Sequence, residues 1–293
     1  MRWALVNNTN EVVACIDGSR YSEAVCDYAA WLSKGLEVPL TLLHNIEHTT
    51  AVDASAQDLS GAIGLGSKGA LLDELTVVEA QRSRLLLEQG KFMLNAARER
   101  AALAGVESPT LRQRHDGLTE SLIELEDNIR VLVLGMRGED HEREEQHLGS
   151  HLESCIRALH RPILVVNNDF QTPKQIMLAY DGSEASGKAL QLLLQSQRFA
   201  LLPIHLVTVG ESAADAAVLQ TRAMEKLISS GHQVKAATLD GDPGEKLLAY
   251  QVENDIDITL MGAFSHTRLR EWVLGSLTVK MLLSSNRPLL LLR

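Results

Sequence analysis

Residues 176–190 read IMLAYDGSEASGKAL, and residues 12–25 read VVACIDGSRYSEAV. Each is a short apolar run, then Asp-Gly-Ser, then a segment with apolar residues at helical spacing. More landmarks repeat further along. VLVLGMRG at 131–138 echoes ITLMGAFS at 258–265, and Gly149-Ser150 echoes Gly275-Ser276. Each Gly-Ser stands twelve residues before an Arg-Pro that opens an apolar run, RPILVV at 161–166 and RPLLLL at 287–292. Landmarks repeated in one order identify a duplicated domain.

The polar, proline-bearing stretch NNDFQTPK (167–174) marks the junction, giving domains at 1–168 and 173–293. Within the second copy, QIMLAY, IHLVTV, QVKAATL, ITLMG and PLLLL are strand-like and alternate with helix-period segments. Short, nearly all-apolar strands joined by helices predict an α/β fold. Each domain is expected to be a five-stranded parallel sheet with helices on both faces, doubly wound. Ligands of such sheets sit beyond the carboxyl ends of the strands, where strand order reverses. Asp17, Asp181, Gly135 and Gly262 all stand at such ends. Between the Asp-Gly-Ser turn and the glycine ending the fourth strand, the first copy is longer by roughly 37 residues. Much of the excess, 48–72, reads as an Ala/Gly/Ser-rich surface excursion before a helix over 77–102.

Bulk properties narrow the function. A formal net charge of -10 argues against broad nucleic-acid binding, which needs a basic surface. Cys15, Cys26 and Cys155 lack metal or redox spacing, and Cys15 and Cys155 read as small buried hydrophobes. With no apolar stretch of bilayer length and no signal-peptide pattern, the expectation is a cytoplasmic protein without a membrane partner.

Several motifs compete as sites. Gly64 to Gly69 matches GxGxxG but follows no buried strand, so a plain loop is expected there. His147, His151 and Cys155 are spaced like ligands on one helix face, yet Cys155 shares the apolar face of Leu152 and Ile156; no metal site is expected. The stretch 262–278 is better placed. Gly262 ends a strand, so backbone can approach a ligand without a Cβ in the way. Gly275-Ser276 opens a helix whose unpaired N–H groups form an anion site. Ser276 and Thr278 add hydroxyls, while Arg268 and Arg270 add charge. The same residues also suit a plain turn and N-cap.

These residues together resemble the universal stress protein family in its tandem form, whose fold is similar to that of adenine-nucleotide hydrolases. Its nucleotide-binding members carry Gly-x2-Gly-x9-Gly-Ser/Thr after the fourth strand and an Asp ending the first. Here the second copy has Gly262, Ser265, Gly275, Ser276, Leu277 and Thr278 in that pattern, with Asp181 ahead of them. The resemblance implies that this loop and helix start hold phosphates, and that Asp181 and the backbone near Val207 hold adenine and ribose. The implied ligand is ATP, ADP or AMP, with Mg as companion ion. Ser265 departs from the pattern by replacing a glycine.

In the first copy the equivalents are Asp17, Gly135, Gly138, Gly149 and Ser150, but ten residues rather than nine precede Gly149. Those ten, EDHEREEQHL, hold five carboxylates against one arginine, which would repel a triphosphate. Ser150-His-Leu-Glu153 also reads as a capping box that would occupy the helix start. The first site is therefore expected to be degenerate. The whole reads as a stress-response binding module with at most slow ATP hydrolysis, because no motif places a general base. The alternative is an interaction scaffold with decayed sites or a different small ligand, whose protein partners are not named by the sequence. The resemblance to dimeric relatives implies that RPILVV and RPLLLL pair between the copies as edge strands, making an intramolecular pseudo-dimer; a homodimer is a further candidate.

Overall fold

The computed structural model describes residues 10–46, 65–138, 148–195, 199–210, 213–263 and 274–293. Ten strands form one sheet in the order β3-β2-β1-β4-β5-β10-β9-β6-β7-β8. The first half contributes β1 (Glu11–Cys15), β2 (Leu40–Asn45), β3 (Thr110–Arg114), β4 (Ile129–Gly135) and β5 (Ile163–Val166). The second contributes β6 (Ile176–Ala179), β7 (Ile204–Val209), β8 (Val234–Leu239), β9 (Ile258–Gly262) and β10 (Leu289–Leu292). Within each half every pairing is parallel. The first strand of each half lies between the second and the fourth, so strand order reverses at β1/β4 and at β6/β9.

The halves meet through β5 and β10, which pair antiparallel with Leu164 opposite Leu290. Both leucines are buried, and the two five-stranded sheets become one. Asn167 Nδ2 donates to Ser285 O at 2.6 Å across the seam, and the Trp31 and Phe199 rings stack at 5.3 Å. Central strands such as β1 and β4 are apolar on both faces because helices cover both. The outer strands β3 and β8 are half-exposed, and their polar alternation (TLRQR, VKAATL) reflects that.

The helices are α1 (Ser22–Leu36), α2 (Leu65–Leu103), α3 (Leu118–Leu125), α4 (Ser150–Ala158), α5 (Glu184–Leu194), α6 (Ala213–Ser229), α7 (Pro243–Glu253) and α8 (Ser276–Ser284). Among the described residues none is long and apolar enough to cross a membrane. Local chemistry starts several of them. Ser183 caps α5 by accepting from Ser186 N at 3.0 Å, and Asp242 caps α7 by accepting from Glu245 N at 2.9 Å, with Pro243 at the first helical position. Both Asp-Gly-Ser turns require glycine, since Gly18 and Gly182 sit at φ 82° and 76°.

One boundary differs from expectation. The long helix does not begin at 77; α2 already runs from Leu65, through part of the predicted excursion. Gly66 and Gly69 each cost about 1 kcal/mol in a helix interior but do not end it, and no proline intervenes. Residues 65–69 of the GxGxxG match therefore lie in helix, not in the plain loop expected there. Arg100 ties α2 to α1, donating from Nε and Nη2 to Asp27 at 2.9 and 2.8 Å.

Candidate functional site

The strand-order reversals put one candidate cleft at the carboxyl end of each half. In the first half it is a cavity of about 260 Å³ lined by Asp17, His44, Gly135, Gly138 and Gly149, with Met93 of α2. The turn after β1 holds Asp17 rigidly. Its Oδ1 accepts from Ser19 N at 3.0 Å and from Ser22 Oγ at 2.9 Å. A Cβ on Gly138 would lie 3.3 Å from Asp17 Oδ2, so the loop after β4 closes directly over that carboxylate. His44 is buried with Nδ1 2.7 Å from Ile16 O. A carbonyl can only accept, so Nδ1 carries the proton and Nε2 is left as the acceptor. Cys15, also in the lining, has its thiol pKa raised, first by burial and then by nearby Cys155 and Asp17, so it is a protonated wall rather than a nucleophile.

Helix α4 begins at this cleft. Gly149 is its N-cap; a Cβ there would stand 3.2 Å from Met136 O, which is why the chain has glycine where α4 meets the end of β4. The predicted capping box does not form. No side chain caps α4, Ser150 is already its first residue, and the Glu153 carboxylate is bound instead by Arg157 one turn on. The Arg157 guanidinium outcompetes the cap because charge-assisted bonding at i, i+4 needs no reach back around the helix end. Among the described residues, no side chain of the N-cap closes the α4 start at the cleft. That removes one of the reasons for expecting a degenerate first site. The ten-residue spacing stands, and the acidic run 139–145 lies outside the described residues, as do His141 and His147. Cys155 is buried with its Sγ 3.8 Å from Thr119 Oγ1.

The second half repeats the construction. Asp181 Oδ1 accepts from Ser183 N at 3.0 Å, and its side chain is exposed beyond β6. A Cβ on Gly262 would meet Ala185 Cβ at 3.0 Å, so the end of β9 lies close against the start of α5. Helix α8 starts after Gly275, which also has no side-chain cap. The Thr278 hydroxyl, buried, donates to Ala263 O at 2.8 Å and locks the helix start onto the end of β9. Ser276 is exposed at the first helical position and Leu277 is half-buried. Val207 is buried in β7, where its carbonyl accepts from Tyr180 N at 2.8 Å. Asp181, Gly262, Gly275 and Ser276 therefore come to one end of the sheet. Ser265, Arg268 and Arg270 lie outside the described residues.

Sequence reasoning missed the far wall of the first cleft. His44, Asn45, Leu86, Gln89 and Met93 line it. His44 stands next to the end of β2, but nothing in the residues of α2 marks which of its faces returns to the sheet. Thr208 was also missed; its hydroxyl donates to Tyr180 O at 2.7 Å and fixes the mouth between β6 and β7.

Comparison with known proteins agrees with this architecture. Residues 8–167 and 172–293 each match the universal stress protein family. A universal stress protein of Synechocystis is 34% identical over 284 residues, covering 96% of this chain and 99% of that one. Among solved structures, a universal stress protein from Archaeoglobus fulgidus superposes with a TM-score of 0.71 at 19% identity, covering 97% of this chain and 98% of that one. A functionally unknown protein from Pseudomonas aeruginosa, PA1789, gives 0.58 at 14% identity, covering 97% and 92%. These two likenesses speak to the fold. Matched twice along its length, the chain belongs to the universal stress protein family.

Proposed function

We propose that this chain is a regulatory module of the stress response that binds an adenine nucleotide in its second half. The observation that carries the reading is the start of α8. Among the described residues no side chain caps it, and it stands beside the end of β9 where Gly262 brings backbone close. A helix start of this kind attracts phosphate. In this proposal the backbone at Gly262, Gly275, Ser276 and Leu277, with Ser265 and the Ser276 hydroxyl, holds the phosphates of ATP, ADP or AMP, with Mg as companion ion. Asp181 and the β7 backbone near Val207 hold ribose and adenine. Thr278 contributes by fixing the helix start, because its one proton is committed to Ala263. The role is retention rather than turnover, since none of the described residues is placed as a general base.

A specific observation favours a second ligand in the first half: the 260 Å³ cleft is formed, and α4 is as uncapped as α8. Paired variants separate the two sites. Gly275→Glu places a carboxylate at the α8 start and is expected to abolish nucleotide retention, whereas Gly138→Glu in the first half leaves it intact. Equal losses from both would show the first site occupied as well. Retention that survives Gly275→Glu overturns the assignment to the second half, and no nucleotide binding at all leaves the scaffold alternative.

A further inference from the structure

We propose that a groove between the halves, separate from both clefts, is a site for a small, planar, uncharged aromatic molecule. Its cavity, about 760 Å³, opens where the last turns of α1 and α2 meet the linker at 170–173 and the short turn Phe199–Leu201 ahead of β7. Helix α1 leaves the carboxyl end of β1 and finishes where β2 begins. The groove therefore lies at the amino ends of the strands, away from the Asp-Gly-Ser turns and the nucleotide loop.

Rings from both halves wall it. Trp31 of α1 stacks on Phe199 at 5.3 Å with the planes 28° apart, and Phe170 of the linker stands edge-on to Tyr28 at 4.8 Å. Leu103 at the end of α2 and Leu201 also line the groove, 91% and 80% exposed. Among the described residues they are the two most exposed large apolar side chains, and they come to one groove from opposite halves. Apolar surface gathered in a concavity at a domain junction, with a few polar groups beside it, is the usual form of a small-molecule site.

The charges in the lining are answered within the protein, which selects an uncharged ligand. Asp27 gives both carboxylate oxygens to Arg100, at 2.9 and 2.8 Å, and Arg100 also donates to Glu23. A guanidinium and a carboxylate closed on each other leave little net charge for a third partner. Lys34 Nζ donates to Ala104 O at 2.9 Å, where the carbonyl end of α2 favours a cation. That bond uses one of the three ammonium donors, so a ligand carbonyl could take another.

The duplication supplies an internal control. Asp17 aligns with Asp181, and Leu40 with Ile204, without a gap between them, which places Gln195 at the position of Trp31 and Phe199 at that of Gly35. A Cβ on Gly35 would stand 3.4 Å from Phe199 Cε1. The first copy thus has glycine where the second carries the ring, and the ring of the second lies against that glycine. The second copy has neither a tryptophan nor a glycine at these places, so the aromatic wall is not a requirement of the fold.

The test is isothermal titration of the full chain with coumarin, a neutral planar molecule with one carbonyl acceptor. One saturable site per chain is expected at submillimolar concentration. Trp31→Leu should weaken it tenfold or more and Leu201→Ser several-fold, while Gly275→Glu and excess ATP leave it unchanged. Leu201 is exposed, so its variant remains informative if Trp31→Leu fails to fold. No saturable binding at millimolar coumarin would overturn the proposal, as would binding unchanged in both groove variants. Displacement by ATP would also overturn it, by putting coumarin in the nucleotide site. Tighter binding of a carboxylated or an aminomethyl coumarin than of coumarin itself would overturn the ligand class.

Discussion

Replacing Thr278 with valine separates a structural hydroxyl from a ligand-binding one. The hydroxyl is buried, and its single proton goes to Ala263 O at 2.8 Å. Valine keeps the shape but leaves that carbonyl, among the described residues, with a long contact from Gly275 N at 3.4 Å. Losing one buried hydrogen bond and stranding its acceptor costs about 1–3 kcal/mol, partly offset by burying a methyl in place of the hydroxyl. A net loss of about 1–2 kcal/mol follows. For domains of 150–250 residues each kcal/mol moves Tm by about 2–4 °C, and a chain of 293 residues falls at the lower end. The first half shows that the position tolerates an apolar side chain, because Leu152 stands buried at the equivalent place in α4. The assay is thermal unfolding of nucleotide-free protein, since bound ligand would add its own stabilisation, followed by nucleotide titration below the transition. Tm should fall by a few degrees while affinity changes less than about threefold. An unchanged Tm with affinity lost tenfold or more would refute the reasoning, because the hydroxyl would then be serving the ligand rather than the fold.

Two further outcomes follow from the packing. Leu290→Ala, on the strand that joins the halves, should cost about 2–5 kcal/mol in urea unfolding, because Leu290 is 2% exposed opposite a fully buried Leu164; a loss below about 1 kcal/mol would mean that the seam is held by its flanking contacts instead. The Cys26 thiol is pushed up to about 12, mainly by burial, against an ordinary 9.0. The folded state therefore keeps a proton that the unfolded chain releases, so stability from this group is full below pH 9 and declines from there towards 12. Native protein at pH 8 should react with none of its three buried cysteines and unfolded protein with all three, measured with a thiol-specific chromophore; fast labelling of the native state would contradict the burial.

Much of the fold was legible in the sequence because it is written twice. The Asp-Gly-Ser turns are demanded by positive φ at Gly18 and Gly182, and that backbone need leaves a visible residue signature. The Arg-Pro runs were legible as strands because they are short, apolar and repeated, and their pairing at the seam was what the resemblance to dimeric relatives implied. What sequence could not show depends on tertiary competition. Glu153 suits both a capping box and a pair with Arg157, and only the folded geometry selects the second. The start of α2 was misplaced because Gly66 and Gly69 signal a loop locally, while the helix around them is long enough to absorb them. The wall that α2 contributes to the first cleft depends on helix rotation over the sheet, which a nearly unpatterned helix does not encode.

The central claim, that this universal stress protein holds an adenine nucleotide through its second half, is tested most directly by what the purified protein carries. Protein prepared without added nucleotide is denatured, and the released small molecules are identified and counted against chain concentration. The account predicts about one adenine nucleotide per chain, absent from Gly275→Glu. Protein that releases none and binds no ATP at millimolar concentration would contradict it.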